Sequence, residues 1–212
     1  MLFRSPYIDT KEPDVRIHAY LAADSYQFYL DTSGNGLYQR GLRRASIEAP
    51  LRENLAAGII KLSGWKPGQP FLDPMCGSGT FLLEAAMMVL NIAPGSKRAF
   101  GFEKLSNFDA KLWNSLRESA LKKAKPVEFA KIYGSDADLR AVRVAKQNLE
   151  QAGLFEAVQL AHSEFTQTSA PAGEGVMVAN PPYGVRIGED EELAELYPKM
   201  GETLKRKFAG WN

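Results

Sequence analysis

The sequence predicts an α/β fold with a parallel β-sheet, helices on both of its faces and a β-hairpin in front of it. From residue 71 onward, short apolar runs alternate with segments of helical periodicity, which is the pattern of a parallel sheet. Turns rich in glycine, proline or acidic residues follow these apolar runs. Residues 15–30 instead contain two short runs of alternating apolar and polar side chains, which is typical of a hairpin.

The hairpin and the first helix precede the sheet. Residues 15–21 and 26–30 form the two alternating runs, and turn residues follow them. A helix is predicted to begin at Pro50, because proline suits the first helical position, and to end just before Gly64. Helical spacing predicts that Leu55 and its apolar neighbours face the core.

Four strands and three helices account for the rest of the pattern. The strands are predicted at residues 71–73, 131–134, 158–161 and 176–179, and the helices at 81–90, 138–152 and from Pro198 onward. A long insertion, residues 91–127, separates the first two strands, and it is either a lid or platform beside the site or a plain surface excursion. The chain stops at Asn212, where a further strand is expected, so the sheet is expected to be incomplete at its C terminus.

Composition limits the classes of function. The 212 residues are 45% hydrophobic and 24% charged, and their net charge of +1 lacks the basic excess of autonomous nucleic-acid binders. A single cysteine excludes an intrachain disulfide, and no apolar run reaches the ~18 residues of a membrane span. The two histidines lie far apart without a Cys/His cluster, so no metal site is expected. We expect a cytoplasmic protein without membrane contact.

A glycine-rich turn, DPMCGSGT at residues 73–80, joins the first strand to a helix. Glycines let the backbone turn sharply and approach a ligand, and amide groups at a helix start can meet a carboxylate. Asp73 at the strand end can accept hydrogen bonds from an ammonium group. An amino-acid-like ligand offers both groups, and the methionine part of S-adenosylmethionine (SAM) is one. Leu82 stands where a dinucleotide loop needs its third glycine, and the Gly-Lys-Ser/Thr of a phosphate loop is absent.

Acids after the second and third strands are the next candidates. Asp136 can accept hydrogen bonds from both ribose hydroxyls, whereas Asp138 fits better as the cap of the following helix. Glu103 is the rival ribose ligand if the segment before it forms the strand instead. Glu164, after the third strand, is a candidate for the adenine amino group, and Phe165 for packing on the adenine ring. A solvated acid and a core phenylalanine are the alternatives for these two residues.

The tetrad Asn180-Pro181-Pro182-Tyr183 follows the fourth strand. An amino nitrogen on a base is a poor nucleophile because its lone pair is delocalised into the ring. The Asn180 side-chain oxygen and the Pro181 carbonyl are two acceptors that would pull this nitrogen towards sp³ and free the lone pair. The prolines stiffen the loop, and Tyr183 can stack on the target base. A proline-rich turn without function is the plain alternative.

Two features lie beside these motifs. Arg40, Arg43 and Arg44 follow the hairpin and form either a solvated face or an RNA contact. Cys76 lies inside the glycine-rich loop, so we interpret it as a packing or backbone contact to the cofactor rather than as a nucleophile.

The motifs resemble those of a known family. DPMCGSGT, GSDAD and NPPYG, in this order, are similar to class I methyltransferases of the RNA methylase group, which includes bacterial ribosomal RNA guanine-N2 methyltransferases with an N-terminal THUMP domain. The junction LDTSGNGLYQRGLRRASIEAPLRENLAAGIIKLSGW and the insertion segment FGFEKLSNFDAKLW are similar to the same group. The resemblance implies that residues 46–212 form a Rossmann-like class I methyltransferase sheet. Residues 1–45 would then be the hairpin and linker that end a THUMP-like region.

The motifs and the resemblance together assign the site residues. The predicted cofactor-binding residues are Asp73, Pro74, Cys76, Gly77, Gly79, Thr80, Asp136, Ala137, Glu164, Phe165 and Arg52, the last in the segment that closes the site. The predicted catalytic residues are Asn180, Pro181, Pro182 and Tyr183. The favoured hypothesis is SAM-dependent methylation of guanine N2 in 23S ribosomal RNA. Adenine-N6 methylation of DNA or RNA, glutamine methylation in proteins and a non-catalytic RNA-binding module remain open.

Overall fold

The computed structural model of the protein describes residues 8–41, 51–182 and 190–212. An antiparallel hairpin consists of β1 (Arg16–Leu21) and β2 (Tyr26–Asp31). A parallel sheet consists of β3 (Phe71–Asp73), β4 (Ile132–Asp136), β5 (Val158–His162) and β6 (Val176–Met177), in the order β5-β4-β3-β6. The helices are α1 (Glu53–Leu62), α2 (Thr80–Val89), α3 (Ala110–Lys122), α4 (Leu139–Ala152) and α5 (Asp190–Lys207). The predicted α/β class, parallel sheet and preceding hairpin are confirmed.

The core surrounds the central strand β3. Phe71 is fully buried, and its ring packs edge-on against Trp65 with 5.2 Å between the ring centroids. The helix α2 is buried from Thr80 to Met87, which explains why this segment is apolar on all sides. Gly134 in β4 makes room for that helix, because a Cβ there would lie 2.4 Å from a methyl group of Leu82. Burial of a large apolar side chain such as Phe71 or Leu82 stabilises the folded state by about 1.5–3 kcal/mol.

The first helix differs from its prediction. It begins at Glu53, after Arg52 in an extended conformation, and Pro50 lies outside the described residues. Its buried positions include Ala56 and Ile60, whereas Leu55 is 53% exposed. The predicted core face is therefore wrong at Leu55 and Leu62, whereas Leu51 and Ile59 from the same predicted face are half-buried against the core. Apolar residues occur on more than one face of this helix, so periodicity did not determine which face is buried.

The last helix also differs from its prediction, because Pro198 lies inside α5 instead of at its start. A proline costs a helix interior one hydrogen bond and suits the first helical position, which is why the sequence predicts a helix start at this residue. At the end of the chain, the amide of Met177 donates to the carbonyl of Asn212 over 2.8 Å, and Trp211 forms a parallel bridge to Gly175. The last two residues of the chain, where a further strand is expected, thus lie beside β6.

The insertion lies at the amino edge of the sheet, where the strands begin. Its ends are joined by a hydrogen bond of 2.8 Å from the Lys125 amide to the Leu90 carbonyl. Lys97 donates over 3.4 Å to the carbonyl of Ala152, the last residue of α4. Since α4 has 14 residues and is therefore about 21 Å long, this anchor is roughly 20 Å from the opposite edge. The base of the insertion is thus not a lid over the glycine-rich loop.

The rival strand before Glu103 does not form. Residues Gly101–Lys104 make a 3₁₀ turn, and the Glu103 carboxylate accepts a hydrogen bond of 2.8 Å from the Phe100 amide. Glu103 therefore caps a local turn in the insertion, and the second strand of the sheet is β4, as predicted.

Candidate active site

Four predicted site residues follow the carboxyl ends of neighbouring strands. Asp73 ends β3, Asp136 ends β4, Glu164 follows β5 and Asn180 follows β6. The register of the three parallel pairings places all four at one edge of the sheet. Adjacent strands lie about 4.8 Å apart, so this edge spans about 14 Å from β5 to β6. We call these four residues and the loop at 74–80 the strand-edge site.

The glycine-rich loop adopts a conformation that requires its glycines. Gly77 and Gly79 have φ values of 52° and 83°, which side chains disfavour. A Cβ at Gly79 would also lie 3.1 Å from the Cβ of Ala145 in α4. Gly79 is the N-cap of α2 and has no side chain with which to cap the helix. The N terminus of α2 is therefore open to a carboxylate ligand at the strand edge.

Asp136 braces this loop against β4. One of its carboxylate oxygens accepts from the Gly77 amide over 2.8 Å, and the other accepts from the Asp138 amide over 2.9 Å. Each carboxylate oxygen has a second lone pair, so the side chain can still accept hydrogen bonds from a ligand. Asp138 caps α4 by accepting from the Arg140 amide over 2.8 Å, as predicted.

Asp73 is a buried acid, only 1% exposed, with the Met75 amide as a hydrogen-bond donor at 3.2 Å. The pKa of Asp73 is raised from 3.8 to about 8, mainly because the side chain is buried; the Met75 amide lowers this pKa, and the nearby Asp136 carboxylate contributes to the rise. The ionised form of Asp73 therefore needs a cation beside it. Burial also raises the pKa of the Cys76 thiol well above its usual range, which makes Cys76 a poor nucleophile.

Asn148 is a site residue that the sequence analysis missed. It is fully buried on α4, and its side-chain amide donates over 3.0 Å to the carbonyl of Ser78. It thus ties the glycine-rich loop to the helix after the second strand. Its position offered a signal, since Asn148 has helical spacing to Ala145 and Ala152 and therefore lies on the core face of α4.

The residues after β4 and β5 form the next part of the edge. Ala137 is exposed, and its carbonyl lies 2.9 Å from a ring nitrogen of His162. Glu164 is exposed, as a ligand contact requires. Phe165 is only 3% exposed and stacks on Phe208 with 6.3 Å between the ring centroids. Phe165 therefore belongs to the core, and its contact with an adenine ring stays a prediction.

The tetrad begins at the same edge, beside the glycine-rich loop. Asn180 and Pro181 are half-buried, Pro182 is exposed, and Tyr183 lies outside the described residues. The carbonyl of Pro182 accepts a hydrogen bond of 3.2 Å from the Tyr197 hydroxyl on α5. The sequence analysis missed Tyr197, because nothing in its spacing indicates a contact with the tetrad.

Arg52 lies at the start of α1. It is exposed, and its guanidinium carbon lies 5.0 Å from the ring centroid of Tyr38. Such an exposed cation–π contact contributes about 0.5–1 kcal/mol. The predicted contact of Arg52 with the cofactor stays a prediction.

Arg40 forms an ion pair with Glu84 of α2. The two groups lie 3.2 Å apart, and their side chains are only 15% and 4% exposed. Burial raises the pKa of Glu84, while Arg40 lowers it. Arg40 thus contacts the protein interior and does not offer its charge to RNA, while Arg43 and Arg44 lie outside the described residues.

Two kinds of feature are absent from the part of the chain that the structure describes. None of its helices combines the length and the apolar composition needed to cross a membrane. In the same ranges, no three histidine, cysteine or acidic side chains are grouped so that they could hold a metal ion.

Comparisons with known proteins agree with this geometry. The family UPF0020, RMKL-like methyltransferase domain, matches residues 40–212. Ribosomal RNA large subunit methyltransferase K/L of Photobacterium profundum is 44% identical over 213 residues, which cover 98% of this chain and 30% of that relative. The chain therefore spans about a third of the length of this curated relative.

Two solved structures have the same fold. SMU.472, crystallised with S-adenosylhomocysteine (SAH), is 40% identical with a TM-score of 0.85, over 95% of this chain and 52% of that one. A predicted N6-adenine-specific DNA methylase from Listeria monocytogenes is 37% identical with a TM-score of 0.83, over 93% of this chain and 52% of that one. The Rossmann-like methyltransferase fold is confirmed, and the chain belongs to the UPF0020 family of RMKL-like methyltransferase domains.

Proposed function

We propose that this chain is the catalytic part of a SAM-dependent methyltransferase that acts on an exocyclic amino nitrogen of a base in RNA, specifically guanine N2 of 23S ribosomal RNA. One observation carries the proposal: Asn180 and the glycine-rich loop leave neighbouring parallel strands at the same edge. A methyl donor held by the loop and an acceptor base held by Asn180 would therefore be adjacent. The ribosomal RNA methyltransferase from Photobacterium and the SAH in SMU.472 support the substrate and the cofactor.

The residues of the strand-edge site fit SAM. The Asp73 carboxylate would accept hydrogen bonds from the ammonium group, and the N terminus of α2 would face the carboxylate. Asp136 would hold the ribose with its remaining lone pairs, and the exposed Glu164 would accept from the adenine amino group. The order of these groups along the edge is that of an extended ligand laid across the strand ends.

The tetrad would prepare the acceptor. SAM supplies an activated methyl group, so the protein needs no covalent intermediate. The Asn180 side-chain oxygen and the Pro181 carbonyl accept hydrogen bonds from the two hydrogens of the amino group and direct its lone pair towards the methyl carbon. Transfer would form the N–C bond and break the S–C bond, so that SAH leaves as the neutral thioether, and the surplus proton on nitrogen would pass to solvent. Positioning and electrostatic stabilisation supply the rate enhancement.

A second candidate is adenine-N6 methylation, because the same two acceptors would hold an adenine amino group equally well. The Listeria neighbour carries that activity in its name. In both cases the acceptor is a nucleic acid, and for ribosomal RNA the protein would work in the cytoplasm without a membrane or metal.

One experiment separates the candidates. The protein is incubated with methyl-labelled SAM and either protein-free 23S ribosomal RNA, duplex DNA or a release-factor protein, and the products are digested and identified. We expect label in N2-methylguanosine from RNA. N6-methyladenosine would favour the second candidate, and label only in protein would reject both. Binding of SAH without transfer to any acceptor would support a non-catalytic RNA-binding module.

A further inference from the structure

We propose that residues 95–104 of the insertion form a socket for the base of the hairpin, and that Arg98 is a positioning residue that orients the hairpin towards the RNA substrate. This proposal rests on the proposed function. It also gives the insertion a role away from the cofactor loop, at the amino edge of the sheet.

Arg98 binds the linker that follows β2, residues 32–41. Its guanidinium donates to four backbone carbonyls of that linker, at distances of 2.9 Å to Ser33, 2.5 Å to Asn35, 2.9 Å to Gly36 and 3.4 Å to Gln39. Guanidinium groups present five donors in a rigid fork, so four acceptors arranged around one such group fix their own relative positions. The same side chain stacks on Phe100, 4.8 Å from the ring centroid.

Backbone packing also joins the hairpin to the socket. A Cβ at Gly34 would lie 3.1 Å from the Gly101 nitrogen, and a Cβ at Gly101 would lie 2.9 Å from the Asp31 carbonyl oxygen. The amide of Phe102 donates to the carbonyl of Thr32 over 3.0 Å. Both glycines are therefore required for the approach of the two backbones.

The socket packs against α3 inside the insertion and contacts one helix beside the methyltransferase sheet. Phe100 and Phe102 pack edge-on against Trp113 of α3, with 5.6 and 4.9 Å between the ring centroids. Lys97 is hydrogen-bonded to the C terminus of α4, whose N terminus carries the cap next to Asp136. Lys97 thus provides a contact between the socket and a helix whose other end borders the strand-edge site.

One face of the hairpin suits single-stranded RNA. Directly paired residues of an antiparallel pair share a face, so His18 and Tyr29 lie together, next to Tyr20. Tyr20 and Tyr29 are 64% and 53% exposed. Aromatic side chains of this kind stack on unstacked bases. A fixed hairpin would therefore present these rings to RNA in a constant orientation relative to Asn180.

The test uses Arg98→Ala and Arg98→Lys, with Arg143→Ala as the matched control. Arg143 is exposed on α4, and within the described ranges its side chain makes no hydrogen bond or ion pair. We expect Arg98→Ala to accelerate hydrogen exchange of the Phe102 amide and to raise KM for protein-free 23S ribosomal RNA by about fivefold or more, the equivalent of one lost hydrogen bond. The kcat at saturating RNA and the Kd for SAH should change less than about twofold. Arg98→Lys should raise KM less than Arg98→Ala does.

Two results for Arg98→Ala would contradict the proposal. Unchanged exchange at Phe102 would reject the socket, and faster exchange with unchanged KM would reject the positioning role. If Arg98→Ala does not fold, Gly101→Ala disturbs the same contact from the other backbone and takes its place. If the unmodified protein binds SAH but does not methylate RNA, the proposed function fails, and the exchange measurement still decides whether the socket exists.

Discussion

The strand-edge site and the hairpin are built in opposite ways. The site is assembled from residues far apart in sequence, such as Gly77 with Asp136, and Ser78 with Asn148, and much of it is buried. The strands of the hairpin pair with their sequence neighbours, and none of their residues is buried. Polar and backbone contacts with Arg98 and Gly101 connect the hairpin to the rest of the described structure.

From this difference we infer that the proposed catalytic role of the site and the proposed RNA contact of the hairpin are separable. Asp73 and much of the glycine-rich loop, which would hold the methionine part of the cofactor, form part of the core, so they cannot move without a cost to folding. The hairpin can change its orientation at the cost of a few polar contacts. The strand-edge site should therefore determine cofactor affinity and chemistry, and the hairpin should determine the affinity for RNA.

The largest expected contrast is in stability. Phe71→Ala removes a fully buried ring from β3 and should lower the free energy of unfolding by about 3–5 kcal/mol. Phe28→Ala removes a ring that is 68% exposed in the hairpin and should cost no more than about 0.5 kcal/mol. Urea unfolding of the two variants measures both values. Equal losses of stability would show that the hairpin is packed into the core in solution, which would contradict the contrast between a buried site and an exposed hairpin.

The next effect is on chemistry alone. Asn180→Ala removes one acceptor for the amino group, so the rate of methyl transfer at saturating RNA should fall by about 100-fold or more. The Kd for SAH, measured by calorimetry, should stay within about twofold, because the proposed cofactor ligands follow the neighbouring strands. Retained turnover would reject the role assigned to Asn180.

The strand-edge site could be predicted from the sequence because each of its main residues directly follows a recognisable strand. Asp73, Asp136 and Asn180 each follow an apolar run directly, and strands of a parallel sheet bring such positions together without further information. The family was predicted from the same three motifs and is confirmed. The division at residue 45, the THUMP-like origin of the hairpin and the individual site roles stay predictions.

The features that the sequence did not predict depend on distant partners. Arg98 reaches carbonyl groups that have no side-chain signature, and Tyr197 reaches the tetrad only because α5 begins well before Pro198. Arg40 was grouped with its basic neighbours, yet its charge is compensated by Glu84 on another helix. The burial of one helix face and not another, as for Leu55, is likewise decided by tertiary packing.

A smaller effect tests how the site is assembled. Asp136→Ala removes the acceptor of two backbone amides and the proposed ribose ligand, so the affinity for SAH should fall about 10- to 100-fold. Glu103→Ala is the matched control, since that acid accepts a bond inside the insertion and should leave SAH affinity unchanged. Calorimetry with SAH measures both variants. An unaffected Asp136 variant and a weakened Glu103 variant would reverse the assignment.

A pH dependence follows from the buried acid. Asp73 has a pKa of about 8 in the folded protein and 3.8 as its ordinary value, so below pH 8 it holds a proton that opposes an ammonium ligand. Binding of SAH should release this proton, and affinity should therefore rise between pH 6 and 8, by at most about tenfold per pH unit. Without ligand, the same shift makes stability fall as pH rises through this range. Asp73→Asn should flatten both curves in calorimetry and thermal melts, and a flat curve for the unmodified protein would contradict the assignment.

The smallest effect concerns the contact between α5 and the tetrad. Tyr197 is 47% exposed, and its hydroxyl donates to the Pro182 carbonyl over 3.2 Å. Tyr197→Phe removes only this hydrogen bond, which in such an exposed place is equivalent to about 1 kcal/mol or less, so kcat should fall by at most about fivefold. Lys199→Met, on the same exposed part of the helix, is the control, since its ion pair with Glu195 stays within α5. Because neither residue belongs to the hairpin, KM for RNA should be unchanged in both variants. A rise in KM for Tyr197→Phe without a change in kcat would show that α5 also contacts RNA. RNA affinity would then depend on α5 as well as on the hairpin.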